Sequence, residues 1–192
     1  MNDFLARTQE GAAALRRAVT IKTRPQLLAS VREEPAVGAG VLAGAIAQVE
    51  KARTLTRPSA LGVAALMVNH AAYAWSLYRR GARNDALGWG LRAAAWGAGV
   101  AATRTQPTTA AVAVGGAAVL VTSALAGDPA LRTDAGKGMS HGANLLVAAE
   151  GLTALRAALK QRKRRARLVR AAEAGALVIG HLLLIDGFRR TR

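Results

Sequence analysis

The stretch TTAAVAVGGAAVLVTSALAG, residues 108–127, contains no charged residue. It is long enough to cross the hydrocarbon core of a bilayer, which takes about 20 apolar residues in a helix. It also lacks the polar face that recurs every 3.6 residues in a surface helix of a soluble protein. Its valines and threonines favour a strand, but its alanine content favours a helix. The stretch therefore predicts a transmembrane helix.

Five other apolar stretches of similar length accompany it. They are found at residues 36–50, 59–78, 86–102, 141–159 and 171–188. Prolines and the Asp128-Pro129 pair stand at several of their boundaries, where helices start or stop. We therefore expect six helices. Because alanine and glycine dominate, each span is only mildly hydrophobic, and a soluble all-α bundle remains the alternative.

Residues 10–31 are predicted to form a weaker seventh helix, basic and amphipathic, that lies in the membrane interface or packs against its neighbours. Residues 1–192 as a whole predict one domain with an all-α fold, a polytopic transmembrane helix bundle of six spans plus this helix. Gly40 and Gly44 form a small-xxx-small pair, which we expect to pack two helices of the same chain closely together. Ser140 is the expected N-cap of the fifth span.

The chain is strongly basic, with a formal net charge of +16 over 192 residues. Polycations bind nucleic-acid backbones regardless of sequence, so a soluble nucleic-acid-binding protein is one interpretation. The basic residues, however, form short clusters that flank the apolar stretches, which is the pattern of membrane proteins. These clusters are Lys51–Arg57, Arg79–Arg83, Lys160–Arg170 and Arg189–Arg192. The arrangement favours a multi-pass protein of the cell membrane with no nucleic-acid partner.

Glu50 and Glu150 are the carboxylates of the predicted spans that are candidate functional residues. An ionised side chain at the centre of a bilayer costs about 2.5–3.5 kcal/mol, so such a residue is a candidate functional site. Glu150 lies near the middle of its span and is either a general acid or the partner of a structural ion pair with Arg156 or Arg92. Glu50 lies at the end of its span beside Lys51, where an interfacial position is also expected.

Histidines and their neighbours are the other polar residues of the spans. His70 follows Asn69 deep in its span, and Tyr73, on the same side of the helix, is the expected hydrogen-bond partner of His70. His181 is either a packing residue or a functional one, and Asp186, near a helix end, is expected to be solvated. The three histidines lie on different segments without ligand spacing, so no metal site is predicted.

Five short motifs, taken in order, resemble those of a known family. They are KTRPQLLA (22–29), NHAAYAWSLYRRGAR (69–83), SALAGDPAL (123–131), GANLLVAAEGL (142–152) and GHLLLIDG (180–187). Together they are similar to the actinobacterial branch of the YhhN-type lysoplasmalogenase family. Members of that family are multi-helix membrane proteins that hydrolyse the vinyl-ether bond of lysoplasmalogens to a fatty aldehyde and a glycerophospho-alcohol. The resemblance implies two acids, water and no cofactor.

The same resemblance implies which residues would act. In GANLLVAAE, Ala149-Glu150 stands where the family has Ser-Asp, so Glu150 resembles its second acid. In GAIAQVEK (44–51), either Gln48 or Glu50 aligns with the first acid, and the spacing to His70 suits Glu50 better. His181 stands near a glutamine of the family.

Under this hypothesis Glu50, Glu150 and His70 are catalytic. One carboxyl group protonates the vinyl ether, the other stabilises the oxocarbenium-like cation during attack by water, and His70 orients water or substrate. The predicted substrate-binding residues are Asn69, Tyr73, His181 and Arg79, with Arg79, Arg80 or Lys51 toward the lipid phosphate.

The sequence therefore supports two possible functions. The first is a membrane hydrolase, active or diverged, that cleaves a lysophospholipid. The second is a noncatalytic membrane protein that binds lipid or a partner protein, with Lys160–Arg170 on anionic head groups. The oligomeric state is left open.

Overall fold

The computed structural model describes residues 34–53, 58–83, 86–158 and 163–191, and within these ranges the regular structure is helical, without strands. The helices are α1 (Pro35–Arg53), α2 (Ala60–Arg79), α3 (Ala86–Thr103), α4 (Thr109–Ala126), α5 (Met139–Ala158) and α6 (Lys163–Arg190), with a short 3-10 helix at Pro129–Leu131. The prediction of an all-α fold is confirmed, and each of the six apolar stretches lies on a helix. The predicted helix at 10–31 lies outside the described residues.

Helix boundaries follow local chemistry. Pro35 is the first residue of α1, where its missing N–H costs no hydrogen bond. The Ser59 hydroxyl accepts a hydrogen bond from the Gly62 N–H at 3.0 Å and caps α2. The prediction of Ser140 as an N-cap is wrong, because α5 already begins at Met139, directly after Gly138 with its φ of 110°. Helix α6 begins well before residue 171, because basic residues continue a helix readily.

Consecutive helices run antiparallel. Helix α1 packs on α2, α2 on α4, and α5 on α6, while α3 lies against both α4 and α5. We name the two ends of the bundle by a residue at each. The Arg80 end contains the starts of α1, α3 and α5 and the ends of α2, α4 and α6. The Lys51 end contains the opposite helix ends.

Glycines allow the helices to approach closely. A methyl group on Gly40 would lie 3.0 Å from the Ala72 Cβ, and one on Gly44 would lie 3.0 Å from the Asn69 amide nitrogen. The predicted packing of this pair within the chain is therefore confirmed, between α1 and α2. On α5, a methyl group on Gly142 would lie 2.7 Å from the Gly180 carbonyl oxygen of α6.

The outward surface of the helices is apolar. Exposed aliphatic side chains include Leu42 at 66%, Leu91 at 68% and Val178 at 59%. Among exposed helical residues whose side chains are described, the charged ones are Arg53, Arg79 and Arg170. By length and composition, three helices are apolar enough to cross a membrane, namely Ala60–Arg79, Thr109–Ala126 and the Leu168–Arg190 part of α6. The chain thus has the character of a membrane protein.

Candidate functional site

A lysine and two glutamates from three helices meet at the Lys51 end. The Lys51 ammonium lies 3.0 Å from Glu150 of α5 and 2.8 Å from Glu173 of α6. The Thr153 hydroxyl donates to Glu173 at 2.7 Å. The side chains of Lys51, Glu150 and Glu173 are 23%, 21% and 8% exposed, so water screens this cluster only partly. It joins α1, α5 and α6.

The position of Glu150 explains how a carboxylate is tolerated in this apolar helix. It lies in the second half of α5, but its partner Lys51 lies in the last turn of α1. Helix α5 continues for eight more residues, or about 12 Å, beyond Glu150. The acid is therefore level with the end of a neighbouring helix rather than with the centre of the bundle.

The ion-pair partner of Glu150 differs from the prediction. Arg92 instead donates a hydrogen bond from its Nε to the Ser123 hydroxyl at 2.8 Å. The side chain of Arg156 is outside the described residues. Lys51 is separated from Glu150 by 99 positions in the chain, so no local pattern pairs them. Glu173 was missed, although it lies inside a predicted span and the rule that selected Glu150 applies to it equally.

Glu50 points toward the turn between α1 and α2. Its carboxylate accepts hydrogen bonds from the Ser59 hydroxyl at 2.7 Å and from Arg53 at 3.4 Å. Glu50 and Glu150 thus share one end of the bundle, but Glu50 binds Ser59 and Arg53 whereas Glu150 binds Lys51. The interfacial position expected for Glu50 agrees with this geometry.

The structure does not bring His70 to these carboxylates. His70 is 3% exposed, and its Nδ1 lies 2.9 Å from the Thr122 hydroxyl of α4. Ser59, which binds Glu50, precedes His70 by eleven residues, which is about 16 Å along α2. A histidine at that distance is beyond the reach of a direct or water-mediated hydrogen bond to Glu50.

The predicted partner of His70 is also different. The Tyr73 hydroxyl lies 3.0 Å from Nδ1 of His181, whereas the His70 and Tyr73 rings meet edge to face at 6.2 Å between centroids. Asn69 donates from its amide to the Gly40 carbonyl at 2.7 Å. Asn69 and Tyr73 are fully buried. Asn69 and Tyr73, predicted to bind substrate, connect α2 to α1 and α6, and His70 connects α2 to α4.

At the Arg80 end, the two adjacent arginines differ. Arg79 is exposed, as a residue facing a lipid phosphate would be, whereas Arg80 is half-buried among α1, α2 and α6.

The expectation that Asp186 is solvated is wrong: it is 6% exposed and forms ion pairs with Arg189 and Arg190. The arginines of its own last turn cover it.

Within the described ranges, no group of three or more histidine, cysteine, aspartate or glutamate side chains could hold a metal ion. Comparison with known proteins gives no match to a family model, a curated protein or a solved structure.

Proposed function

We propose that the protein is an integral membrane protein with six spans that binds anionic phospholipids through its basic helix ends. The observation that carries this proposal is the division of polar groups in the bundle. Polar side chains inside the helices contact other helices, whereas the exposed cations gather at the helix ends. Such a protein holds lipid without doing chemistry on it.

The apolar exterior supports six spans, including α1 and α3, which are not among the three helices that are apolar enough by length and composition to cross a membrane. On α1 the exposed residues Leu42, Ile46 and Val49 follow one another at helical spacing, with Leu42 at 66% and Val49 at 50% exposure. On α3 the described exposed residues are alanine, glycine, Leu91 and Trp96. A helix in water would carry charged residues on that face.

Exposed arginines support the lipid preference. Arg53 and Arg104 lie at the Lys51 end, and Arg170 lies where the apolar part of α6 begins. The side chain of Arg53 is 72% exposed. Basic residues beside a membrane attract anionic lipids by about 1 kcal/mol each. The basic run at 160–170 adds to this charge in the sequence.

The test compares two lipids of identical acyl chains, phosphatidylglycerol and phosphatidylcholine, bound to the detergent-purified protein and counted by native mass spectrometry. We expect the wild type to retain more phosphatidylglycerol, with a preference that falls as salt is added. Replacing Arg53, Arg104 and Arg170 together by glutamine should abolish much of the preference. Replacing the same three by lysine is the matched control and should keep it. Equal retention of both lipids by the wild type at low salt would contradict the proposal.

A second candidate function is hydrolysis of a lyso-ether phospholipid, and one contact favours it. Oxygens of Glu150 and Glu173 both lie about 3 Å from the same Lys51 nitrogen, so they are less than about 6 Å apart. Two carboxyl groups at this separation could divide the work of vinyl-ether cleavage. One would protonate the alkene carbon, and the other would stabilise the oxocarbenium-like cation. Water would then add to this cation and return a proton to the carboxylate that donated one, and the hemiacetal would collapse to aldehyde and alcohol.

This candidate differs from the sequence hypothesis in the acid that accompanies Glu150, which is Glu173 rather than Glu50. The measurement is aldehyde release from a lysoplasmalogen by purified protein in detergent. Hydrolysis requires that Glu150→Gln and Glu173→Gln each abolish turnover, whereas Glu50→Gln retains it. Absence of aldehyde with the wild type, or full turnover by Glu150→Gln, would remove this candidate.

A further inference from the structure

A second polar cluster lies near the Arg80 end, where α3, α4 and α5 meet. The Arg92 guanidinium donates from Nε to the Ser123 hydroxyl at 2.8 Å and from one terminal nitrogen to the Gly88 carbonyl at 2.9 Å. Its other terminal nitrogen lies 3.5 Å from the Asn144 Oδ1, which also accepts from Ser123 at 2.8 Å. The arginine is therefore fixed in position by three helices.

The partners of Arg92 are all neutral. A guanidinium has five N–H donors, and the contacts made by the described residues use three of them. Among those residues, no carboxylate forms an ion pair with Arg92. A cation held by neutral oxygens, with donors to spare, is incomplete in an apolar setting, because its charge is best compensated by an anion.

A second arginine approaches the same place. A methyl group on Gly127 would lie 2.9 Å from an Arg92 terminal nitrogen, and the Gly127 carbonyl accepts from Arg132 at 3.3 Å. The neighbouring acid, Asp128, uses its two oxygens on the backbone N–H groups of Arg83 and Ala130, at 2.6 and 2.7 Å. Two guanidinium groups thus adjoin Gly127, while the nearby carboxylate is committed to capping backbone.

Asn144 adds uncharged donors. Because its Oδ1 accepts from both Ser123 and Arg92, its NH2 group remains available to donate. Asn144 is exposed. The indole N–H of Trp89, three residues before Arg92 and on the same side of α3, is buried without a hydrogen-bond partner in the described part of the chain. The cluster presents donors and positive charge, which is the requirement for binding a phosphate group.

We propose that Arg92 and Asn144, with Arg132 beside them, bind a phosphate group. The site differs from the exposed arginines of the proposed lipid preference, and it depends on the packing of α3, α4 and α5 rather than on that preference. Arg92 lies six residues, or about 9 Å, from the start of α3 at Ala86, but its guanidinium reaches back to the Gly88 carbonyl and adjoins Gly127, the residue after α4. In a six-span arrangement the guanidinium, rather than the backbone of Arg92, therefore lies toward the end of the spans, so the phosphate group belongs to a lipid head group or to free phosphate.

The test measures binding to protein purified in a phosphate-free sugar detergent, by thermal shift and by titration calorimetry. The probes are a short-chain phosphatidic acid, inorganic phosphate, and a diacylglycerol of the same chains as a control for acyl contacts. We expect phosphatidic acid to bind and stabilise the wild type, with little effect of diacylglycerol. If inorganic phosphate binds equally well, the ligand is free phosphate; if it binds far more weakly, the ligand is a lipid.

Variants identify the site. Arg92→Gln should raise the dissociation constant at least about tenfold, since it removes a charge-assisted hydrogen bond to the phosphate group. Asn144→Ala, at an exposed position that leaves Arg92 in place, should raise it less. Lys137→Gln makes the same charge change on an exposed residue that pairs with Asp134 and lies outside both sets of proposed binding residues, and it should leave the dissociation constant unchanged. The proposal is overturned if neither phosphate probe binds the wild type, or if Arg92→Gln and Asn144→Ala bind as the wild type does.

Discussion

Arg80 shows how a single side chain can hold one end of the bundle together. Its terminal nitrogens donate to both oxygens of Glu34, at 2.9 and 2.7 Å, in a bidentate ion pair. It also donates to the Phe188 carbonyl and the Thr191 hydroxyl, each at 2.8 Å, and lies over the Phe188 ring. One residue after α2 thereby connects the start of α1 with the end of α6.

This contact predicts a pH dependence of stability. Burial alone would raise the pKa of Glu34, but hydrogen bonds and charge from Arg80, with smaller contributions from Ser76 and Arg79, outweigh burial and lower that pKa. The ion pair therefore stabilises the fold above the ordinary glutamate pKa, and its contribution is lost as the pH falls through the lowered value. We expect the thermal midpoint in detergent to fall as the pH is lowered below the ordinary glutamate pKa. Glu34→Gln should have a lower midpoint at neutral pH and a weaker dependence on pH in this acidic range, and an unchanged profile would contradict the assignment.

Lys51 is expected to stabilise the fold by bridging two carboxylates. Lys51→Met leaves Glu150 and Glu173 close together without their shared cation, and we expect a loss of roughly 1–3 kcal/mol in the free energy of unfolding. Partial exposure keeps this below the cost of breaking a fully buried pair. Arg53→Gln, on a side chain that is 72% exposed, is the control and should change stability by less than about 0.5 kcal/mol. Equal effects of the two substitutions, followed by unfolding in mixed micelles, would rule out the bridging role.

At the level of elements, the sequence predicts where the helices lie along the chain, but it says much less about which helices and side chains contact one another. Apolar runs predict α1 to α5 closely, because an apolar stretch and a helix coincide where the helix is embedded. They underestimate the length of α6, because its first residues are basic and precede its apolar part. The contacts of Glu150 and His70 could not be predicted, because Lys51 and Thr122 lie 99 and 52 positions away. Their meeting depends on how whole helices pack.

The α5–α6 pair offers a matched test of that packing. In Gly142→Ala the new methyl group would lie 2.7 Å from the Gly180 carbonyl and 3.0 Å from the Leu184 nitrogen, so backbone must move. We expect a loss of about 1–3 kcal/mol in the free energy of unfolding. Gly151→Ala, on the same helix but with no described atom beyond its own stretch of helix within 4 Å of the new methyl group, should be neutral or stabilising by up to about 1 kcal/mol. Similar values for the two variants would mean that α5 and α6 do not approach as closely as described.

For the whole molecule, the decisive property is the solvent around its apolar exterior. Helices α2, α4 and the later part of α6 are apolar enough to cross a bilayer on their own. Helices α1 and α3 are richer in alanine and glycine, but their exposed faces are equally free of charge between the helix ends. Because they pack against α2 and α4, we expect them to be embedded at the same depth.

The chain contains no cysteine, so single cysteines can report on this depth without a background. Ala45 and Ala95 are exposed residues near the middle of α1 and α3, while Thr105 and Ala130 are exposed in connections at opposite ends. With a membrane-impermeant maleimide and sealed vesicles, we expect one of Thr105→Cys and Ala130→Cys to react, and the other only after permeabilisation. Ala45→Cys and Ala95→Cys should react only after detergent denaturation. A charged reagent cannot reach a cysteine at these positions if they lie within the hydrocarbon core. Rapid labelling of Ala45→Cys or Ala95→Cys in intact vesicles would therefore place that helix in water and reduce the number of spans.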